Sequence, residues 1–82
     1  MAIERFIWTA HAQARLAQRR LDRRDIERAI REGHAAREVN DGRAQWLVRG
    51  TTADGAAFQV IYDDPHGDDI EAVRIVSAWR IG

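Results

Sequence analysis

The stretch from His11 to Gly33 constrains the fold more than any other part of the chain. Its apolar residues recur with helical spacing, whereas the residues after Gly33 alternate with a period of two. Two short helices followed by several strands can bury the apolar residues of both segments if the helices pack on the sheet that the strands form. The sequence therefore predicts an α+β fold in the order β-α-α-β-β-β-β, with both helices on one face of an antiparallel sheet.

The first predicted helix follows a short apolar strand at Ile3–Trp8. Thr9 stands at the N-cap position, where its side-chain oxygen can accept a hydrogen bond from the first helical turn. A stripe of mostly small residues is predicted to face the core: Ala10, Ala14, Ala17 and Leu21. A neighbouring polar face carries His11, Arg15 and Gln18.

The second predicted helix begins after Asp22, a favourable N-cap residue, and ends at a Gly33 stop. Asp25 stands at the position of a capping box. Helical spacing predicts a buried face made of Ile26, Ala29 and Ile30.

Four strands are predicted after the helices: Ala35–Val39, Arg43–Thr51, Ala56–Asp63 and Ile70–Arg80. The first two are joined by a hairpin turn at Asn40–Gly42. The acidic run Asp63–Asp69 matches no established metal-ligand spacing, so a solvated turn and no metal site are expected.

Alternation along the strands assigns their faces. Trp46, Phe58, Val60 and Tyr62 are expected on the apolar faces. If those faces lie under the helices, the open face carries a polar set: Arg43, Gln45, Arg49, Gln59, Arg74 and Arg80. Four guanidinium groups on one face suit a polyanion, because each can hold a phosphate by two hydrogen bonds. The alternative is a polar face turned to water.

Composition narrows the class of protein. Eighty-two residues predict one domain over residues 1–82. Residues 1–50 carry a charge of +4 and residues 51–82 a charge of −4, so an anionic partner would need a local patch. Cysteine is absent, and we see no secretory signal, membrane span or cofactor motif. We expect a soluble cytoplasmic protein with no cofactor and no membrane partner.

The three histidines have different expected roles. His11 lies in the first helical turn beside Arg15, where a neutral imidazole could act as a general base; the alternative is an ordinary surface histidine. His34 should complete the second helix or begin the next loop. His66 should lie solvated in the acidic loop.

The chain resembles a small bacterial family through residues near both of its ends. Its helical half reads W-T-A-H-A-x-x-R-L-x-x-R, then D-x-x-D-I-x-x-A-I-x-x-G. These runs resemble an uncharacterised family that opens T-x-H-A-x-x-R and lies near the RelE/ParE and BrnT-type toxins. The segment Val73–Arg80 is similar to the R-I-I-S-A-R strand of BrnT-type toxins, and F-x-W at Phe6 and Trp8 is similar to their opening.

The resemblance implies a metal-independent endoribonuclease toxin that cleaves RNA by 2′-hydroxyl attack, paired with an antitoxin protein. His11 stands where BrnT-type toxins place a helical Lys. Trp79 stands where their last strand has its Arg, and Arg80 follows one residue later. The expected catalytic residues are His11, Arg15, Arg49, Arg74 and Ser77. The expected RNA-binding residues are Arg43, Trp46, Tyr62, Gln59 and Arg80, with Trp46 or Tyr62 stacking a base if exposed.

Two other functions stay open. RelE/ParE-like relatives that bind a protein target would make the chain a non-catalytic binding module, and a neutral net charge favours that alternative. An accessory domain with merely solvated arginines is the other. A homodimer is also left open.

Overall fold

The computed structural model of the protein describes residues 3–64 and 72–81. Its elements, in chain order, are β1 (Arg5–Trp8), α1 (Ala10–Arg19), α2 (Arg23–Gly33), a 3-10 turn (His34–Ala36), β2 (Glu38–Val39), β3 (Trp46–Thr51), β4 (Ala57–Asp63) and β5 (Ala72–Arg80). The predicted α+β class and element order are confirmed. In the described part, neither helix is long and apolar enough to span a membrane.

The five strands form one sheet in the order β1-β5-β4-β3-β2. Strands β2 to β5 pair antiparallel, as predicted, whereas β1 lies parallel to β5 with Arg5 opposite Ala72. The expectation of a wholly antiparallel sheet was therefore wrong at this edge. Two helices separate β1 from the rest of the chain, so no hairpin turn forces β1 to run antiparallel.

Both helices cover one face of the sheet, α1 over β5 and α2 over β3. The largest fully buried side chains lie between the two layers: Tyr62, Phe58, Ile26, Ile30, Ile75, Val60 and Val73. Each is worth roughly 1.5–3 kcal/mol of transfer free energy when buried. The predicted inward face of α2 and the inward residues of β4 are confirmed.

Helix α1 begins as predicted, because the Thr9 hydroxyl accepts a hydrogen bond of 3.0 Å from the Ala12 amide. Of the predicted buried stripe, Leu21 is buried, but the prediction is wrong for the three alanines. Ala12 and Leu16 face the core, whereas the alanines at positions 10, 14 and 17 are exposed. The stripe was assigned by helical spacing from Leu21. Because Leu21 lies beyond the end of the helix, that spacing does not relate it to the alanines.

The reversal between the helices is built on Arg20. This residue adopts a left-handed conformation (φ 54°, ψ 45°), and its amide donates to carbonyl groups of the last turn of α1. The Leu21 amide donates to the Leu16 carbonyl at 3.0 Å. This is the hydrogen-bond pattern that commonly ends a helix with glycine in the left-handed position.

Helix α2 has the predicted N-cap, since the Asp22 carboxylate accepts from the Arg24 amide at 2.8 Å. The capping box is not formed. Asp25 is instead buried and accepts from the Ala53 amide at 3.3 Å and from Arg28 at 3.0 Å. The carboxylate thereby joins α2 to the turn between β3 and β4.

Two glycines allow α2 to lie close to β3. A Cβ atom on Gly33 would stand 2.7 Å from Val48 Cγ1, and one on Gly50 would stand 2.6 Å from the Ala29 Cβ. Helix α2 ends at Gly33 as predicted, but the φ of −103° is not the left-handed conformation that glycine commonly takes at the end of a helix. Its role is close packing.

The strands near the first predicted hairpin are shorter than expected. The chain makes a 3-10 turn before a two-residue β2, and Asn40–Gln45 form a loop where a tight turn and the start of β3 were predicted. The Asn40 side chain donates to the Ala44 carbonyl at 3.0 Å. Arg43 consequently lies in this loop and not on the sheet face.

A bulge in β5 changes the side to which its last residues point. Ile61 pairs with Ser77 and Tyr62 pairs with Ile75, so Val76 is an extra residue in β5. Strict alternation placed Arg80 on the open face, and the bulge reverses that assignment. Arg80 donates to α1 carbonyl groups, as described below, so the prediction for its face was wrong.

Candidate functional site

The predicted catalytic residues do not meet at one place. His11 and Arg15 lie on α1, which packs on the helix-covered face of β5. Arg49 and Arg74 alternate with the core residues of β3 and β5 and so point to the opposite face. The sheet separates the two pairs, and a single phosphate cannot touch both.

The arginines of the open face are paired with carboxylates. Arg49 forms an ion pair with Glu38, and Arg74 forms one with Asp63 at 3.1 Å. Gln59 lies on the same face, partly buried and opposite Trp79. Their charges are compensated, so this face is not the positive surface that the alternation suggested.

Ser77 and Arg80 are engaged in holding α1. The Ser77 hydroxyl is buried and accepts from Arg19 at 3.2 Å. Arg80 donates to the carbonyl groups of Arg19 and Arg20 at 3.0 and 2.6 Å. These contacts stabilise the negative end of the helix, a structural use of both side chains.

The predicted aromatic contacts with RNA bases meet a different environment. Tyr62 has no exposed surface, so it does not meet the condition of exposure on which its stacking of a base was predicted. Trp46 is partly buried and packs against the core, and the Arg37 guanidinium lies over its ring at 4.2 Å. The two rings belong instead to a different group of side chains.

We call this group the His34 cluster. It lies where α2 ends, β3 begins and β4 ends, and it consists of five residues: His34, Arg37, Trp46, Tyr62 and Asp64. The 3-10 turn brings His34 and Arg37 together. The register of the β3–β4 pair places Trp46 opposite Tyr62.

A hydrogen bond of 2.7 Å joins His34 Nδ1 to the Tyr62 hydroxyl. Burial lowers the pKa of His34 below its ordinary value of 6.5, and the Arg37 guanidinium lowers it further, against an opposing effect of Asp64. Burial also raises the pKa of the Tyr62 phenol. At neutral pH the imidazole is therefore uncharged and the phenol keeps its proton.

Contacts within the cluster hold Arg37 in place but leave one of its N–H groups without a hydrogen-bond partner. Its Nη1 donates to the His34 carbonyl at 3.0 Å, and its Cζ lies over the Trp46 ring. Its Nε is buried and has no hydrogen-bond partner. A guanidinium with an unused N–H beside a histidine can hold an anion by charge-assisted hydrogen bonds.

Asp64 brings a carboxylate to the same place. Its amide donates to the Gln45 side chain at 2.9 Å, which anchors the residue at the end of β4. Its charge opposes the lowering of the His34 pKa and raises the pKa of Tyr62. Its Oδ1 is buried and has no hydrogen-bond partner.

The His34 cluster therefore combines a neutral imidazole, a guanidinium and a carboxylate in a partly buried setting. Such a set can take up a proton and stabilise negative charge. Sequence reasoning placed Trp46 and Tyr62 on one face but gave His34 no role. The spacing of His34 and Arg37, one 3-10 turn apart after a helix stop, was the available signal.

The structure gives no sign of a metal centre in the part it describes. Across residues 3–64 and 72–81, no three His, Asp or Glu side chains are grouped as a metal would require. The acidic loop was predicted to be a solvated turn containing His66. Residues 65–69 of that loop lie outside the described residues.

Comparison with known proteins adds a family. The family described as Domain of unknown function (DUF4258) matches residues 8–80. No curated protein and no solved structure gave a significant match. The match covers most of the chain, including both helices and every residue of the His34 cluster.

Proposed function

The chain belongs to the DUF4258 family, and from this premise and its own chemistry we propose that it is a metal-independent endoribonuclease with His34 at its centre. The observation that carries the proposal is geometric: the His34 ring is bonded to the Tyr62 hydroxyl, and Arg37 on the same turn keeps one N–H without a partner. A toxin–antitoxin setting, with RNA as substrate, a cognate antitoxin and a cytoplasmic site of action, belongs to the same proposal.

His34 acts as the general base in this mechanism. In the tautomer protonated at Nδ1, the ring donates to the Tyr62 oxygen and leaves Nε2 free to accept a proton. Nε2 takes the proton of a ribose 2′-hydroxyl, and the 2′-oxygen forms a bond to the adjacent phosphorus. The P–O5′ bond breaks, the 5′-oxygen takes a proton from solvent, and the imidazolium returns its proton to solvent. The products end in a 2′,3′-cyclic phosphate and a 5′-hydroxyl.

Arg37 stabilises the charge that develops on the phosphate. Its Nε–H has no other partner, and the guanidinium is held over the Trp46 ring, with Cζ 4.2 Å from the ring centroid. A donor held in advance of the reaction stabilises a transition state without further reorganisation. Tyr62 is a positioning residue, because it is fully buried and acts through the His34 ring.

This proposal replaces His11 as the base. His11 is exposed, and its side chain makes no hydrogen bond or ion pair with other described residues. The arginines proposed to act with it on the sheet are on the other face and carry paired charges. His11 therefore serves as a matched control for His34.

The test is incubation of purified protein with RNA in EDTA, comparing wild type, His34→Ala and His11→Ala. We expect wild type and His11→Ala to leave cyclic phosphate ends. His34→Ala should be slower by a factor of about 10²–10⁴, the usual contribution of a general base. Circular dichroism checks that each variant is folded. Full activity of His34→Ala, or loss with His11→Ala alone, would overturn the assignment.

A protein-binding module is the second candidate function. Its support is the open face, where neutralised ion pairs lie beside the apolar Ile7, which is 42% exposed. A surface of this composition suits a protein partner better than a polyanion. Absence of RNA cleavage by a folded wild type would favour this candidate.

A further inference from the structure

The two unpartnered buried atoms of the His34 cluster have opposite hydrogen-bonding character. Arg37 Nε is a donor and Asp64 Oδ1 is an acceptor. In the proposed mechanism a phosphate oxygen accepts a hydrogen bond from Arg37 Nε. The same oxygen cannot satisfy the Asp64 carboxylate, because at neutral pH both groups only accept hydrogen bonds. The Asp64 carboxylate therefore has no task in the cleavage step itself.

A buried carboxylate oxygen without a partner is costly, by roughly 1–3 kcal/mol or more for a charged group. Asp64 is nevertheless held in the cluster, since its amide donates to the Gln45 side chain. A ligand that brings N–H donors to this oxygen recovers the lost free energy. RNA carries such donors on the edges of its bases.

We propose that Asp64 binds the Watson–Crick edge of guanine and makes the His34 cluster selective for RNA with a guanine beside the cleaved phosphate. This inference rests on the proposed function. Guanine presents two adjacent donors, N1–H and the N2 amino group, which match the two oxygens of a carboxylate. Adenine and cytosine offer one amino group beside an acceptor nitrogen, and uracil offers one N–H between two carbonyl groups. Each of these three places a lone pair against the carboxylate.

The test is the binding of four nucleotides to the full chain by calorimetry: 3′-GMP, 3′-AMP, 3′-CMP and 3′-UMP. Wild type should bind 3′-GMP at least tenfold more tightly than the others. Asp64→Asn should lose that preference while still binding through Arg37. Asp63→Asn is the matched control, because that neighbouring carboxylate is on the open face with Arg74 and should leave the preference intact.

Binding is measured apart from cleavage, so the two proposals can fail separately. Guanine preference without cleavage would refute the ribonuclease and leave the inference standing. Cleavage after all four nucleotides alike, equal binding of the four, or no nucleotide binding would overturn the inference. An unchanged preference in a folded Asp64→Asn variant would do the same.

Discussion

Arg20 holds a backbone conformation that is unfavourable for L-amino acids. Among the described residues it is the one non-glycine residue with a positive φ. Left-handed geometry costs a residue with a Cβ roughly 1–2 kcal/mol relative to right-handed geometry, and glycine avoids that cost. The conformation persists because the amides of Arg20 and Leu21 satisfy the last carbonyl groups of α1.

Replacing Arg20 by glycine should therefore stabilise the protein. We expect Arg20→Gly to raise the free energy of unfolding by about 0.5–1 kcal/mol, since the gain is reduced by the flexibility of glycine in the unfolded chain. Urea denaturation measures the change. Arg20→Ala removes the same side chain but keeps the Cβ, so it should give no gain. A loss of stability in Arg20→Gly would contradict the explanation.

His34 should make stability depend on pH. Its pKa in the folded protein lies below its ordinary value of 6.5, because burial and Arg37 disfavour the charged ring. As pH falls through 6.5, the unfolded chain binds a proton before the folded one does, so the free energy of unfolding decreases. The loss continues until pH falls below the pKa of the folded state.

This pH dependence can be isolated with one variant. The difference in unfolding free energy between wild type and His34→Gln should change between pH 7.5 and pH 5, with wild type losing more, as unfolding at about three pH values would show. Exposed His11 serves as the control through His11→Gln. A difference that stays constant with pH would show that His34 titrates alike in both states.

At the scale of elements, α2 and β3 approach each other closely. Gly50 lies under Ala29 with no room for a Cβ, since the new atom would also stand 2.8 Å from Phe58 Cζ. Neither the Ala29 Cβ nor a buried ring can move freely in a close-packed core. The separation of these two elements is therefore set by the absence of a side chain at one position.

Gly50→Ala should cost about 1–3 kcal/mol of stability, the usual cost of overfilling a core. Ala29→Gly alone should cost about 1 kcal/mol through lower helix propensity. If the clash is with the Ala29 Cβ, the double variant will lose less than the sum of the two single changes, which urea denaturation of all four proteins would reveal. Simple additivity would place the clash elsewhere, at Phe58.

The helices were the elements most accessible to prediction. Local signals fix them: Thr9 and Asp22 cap their first turns, and apolar spacing marks the inward face of α2. The bulge at Val76 has no such local signal, because it depends on how β5 pairs with β4. One extra residue was enough to move Arg80 from the open face to the end of α1.

At the scale of the whole molecule, sequence reasoning could not predict which residues far apart in the chain would meet in space. The His34 cluster draws side chains from the 3-10 turn after α2 and the residue that follows it, from β3, and from β4 and the residue that follows it. Periodicity put Trp46 and Tyr62 on a common face but could not show that His34 would meet them. His11 was chosen because of its motif, and motifs describe neighbours along the chain, not neighbours in space.

The overall charge distribution also differs from what the sequence suggested. Counting charges gave a positive first half and a negative second half. On the open sheet face, however, positive and negative side chains pair within each half: Arg49 meets Glu38 in the first half, and Arg74 meets Asp63 in the second. Exposed pairs of this kind contribute little to stability, about 0–1 kcal/mol each. Their main effect is to remove a positive field from the surface.

The parallel pairing of β1 with β5 has a consequence for the order in which the chain folds. The helices and the β3–β4 hairpin need only contacts between residues close in sequence. The β1–β5 pair must close a loop that contains almost every other element, and β5 itself needs β4 as its template. Pairing of strands so far apart in sequence loses conformational entropy on loop closure before it gains stabilising contacts. The strand that is made first by synthesis is thus the one whose place in the sheet is settled last.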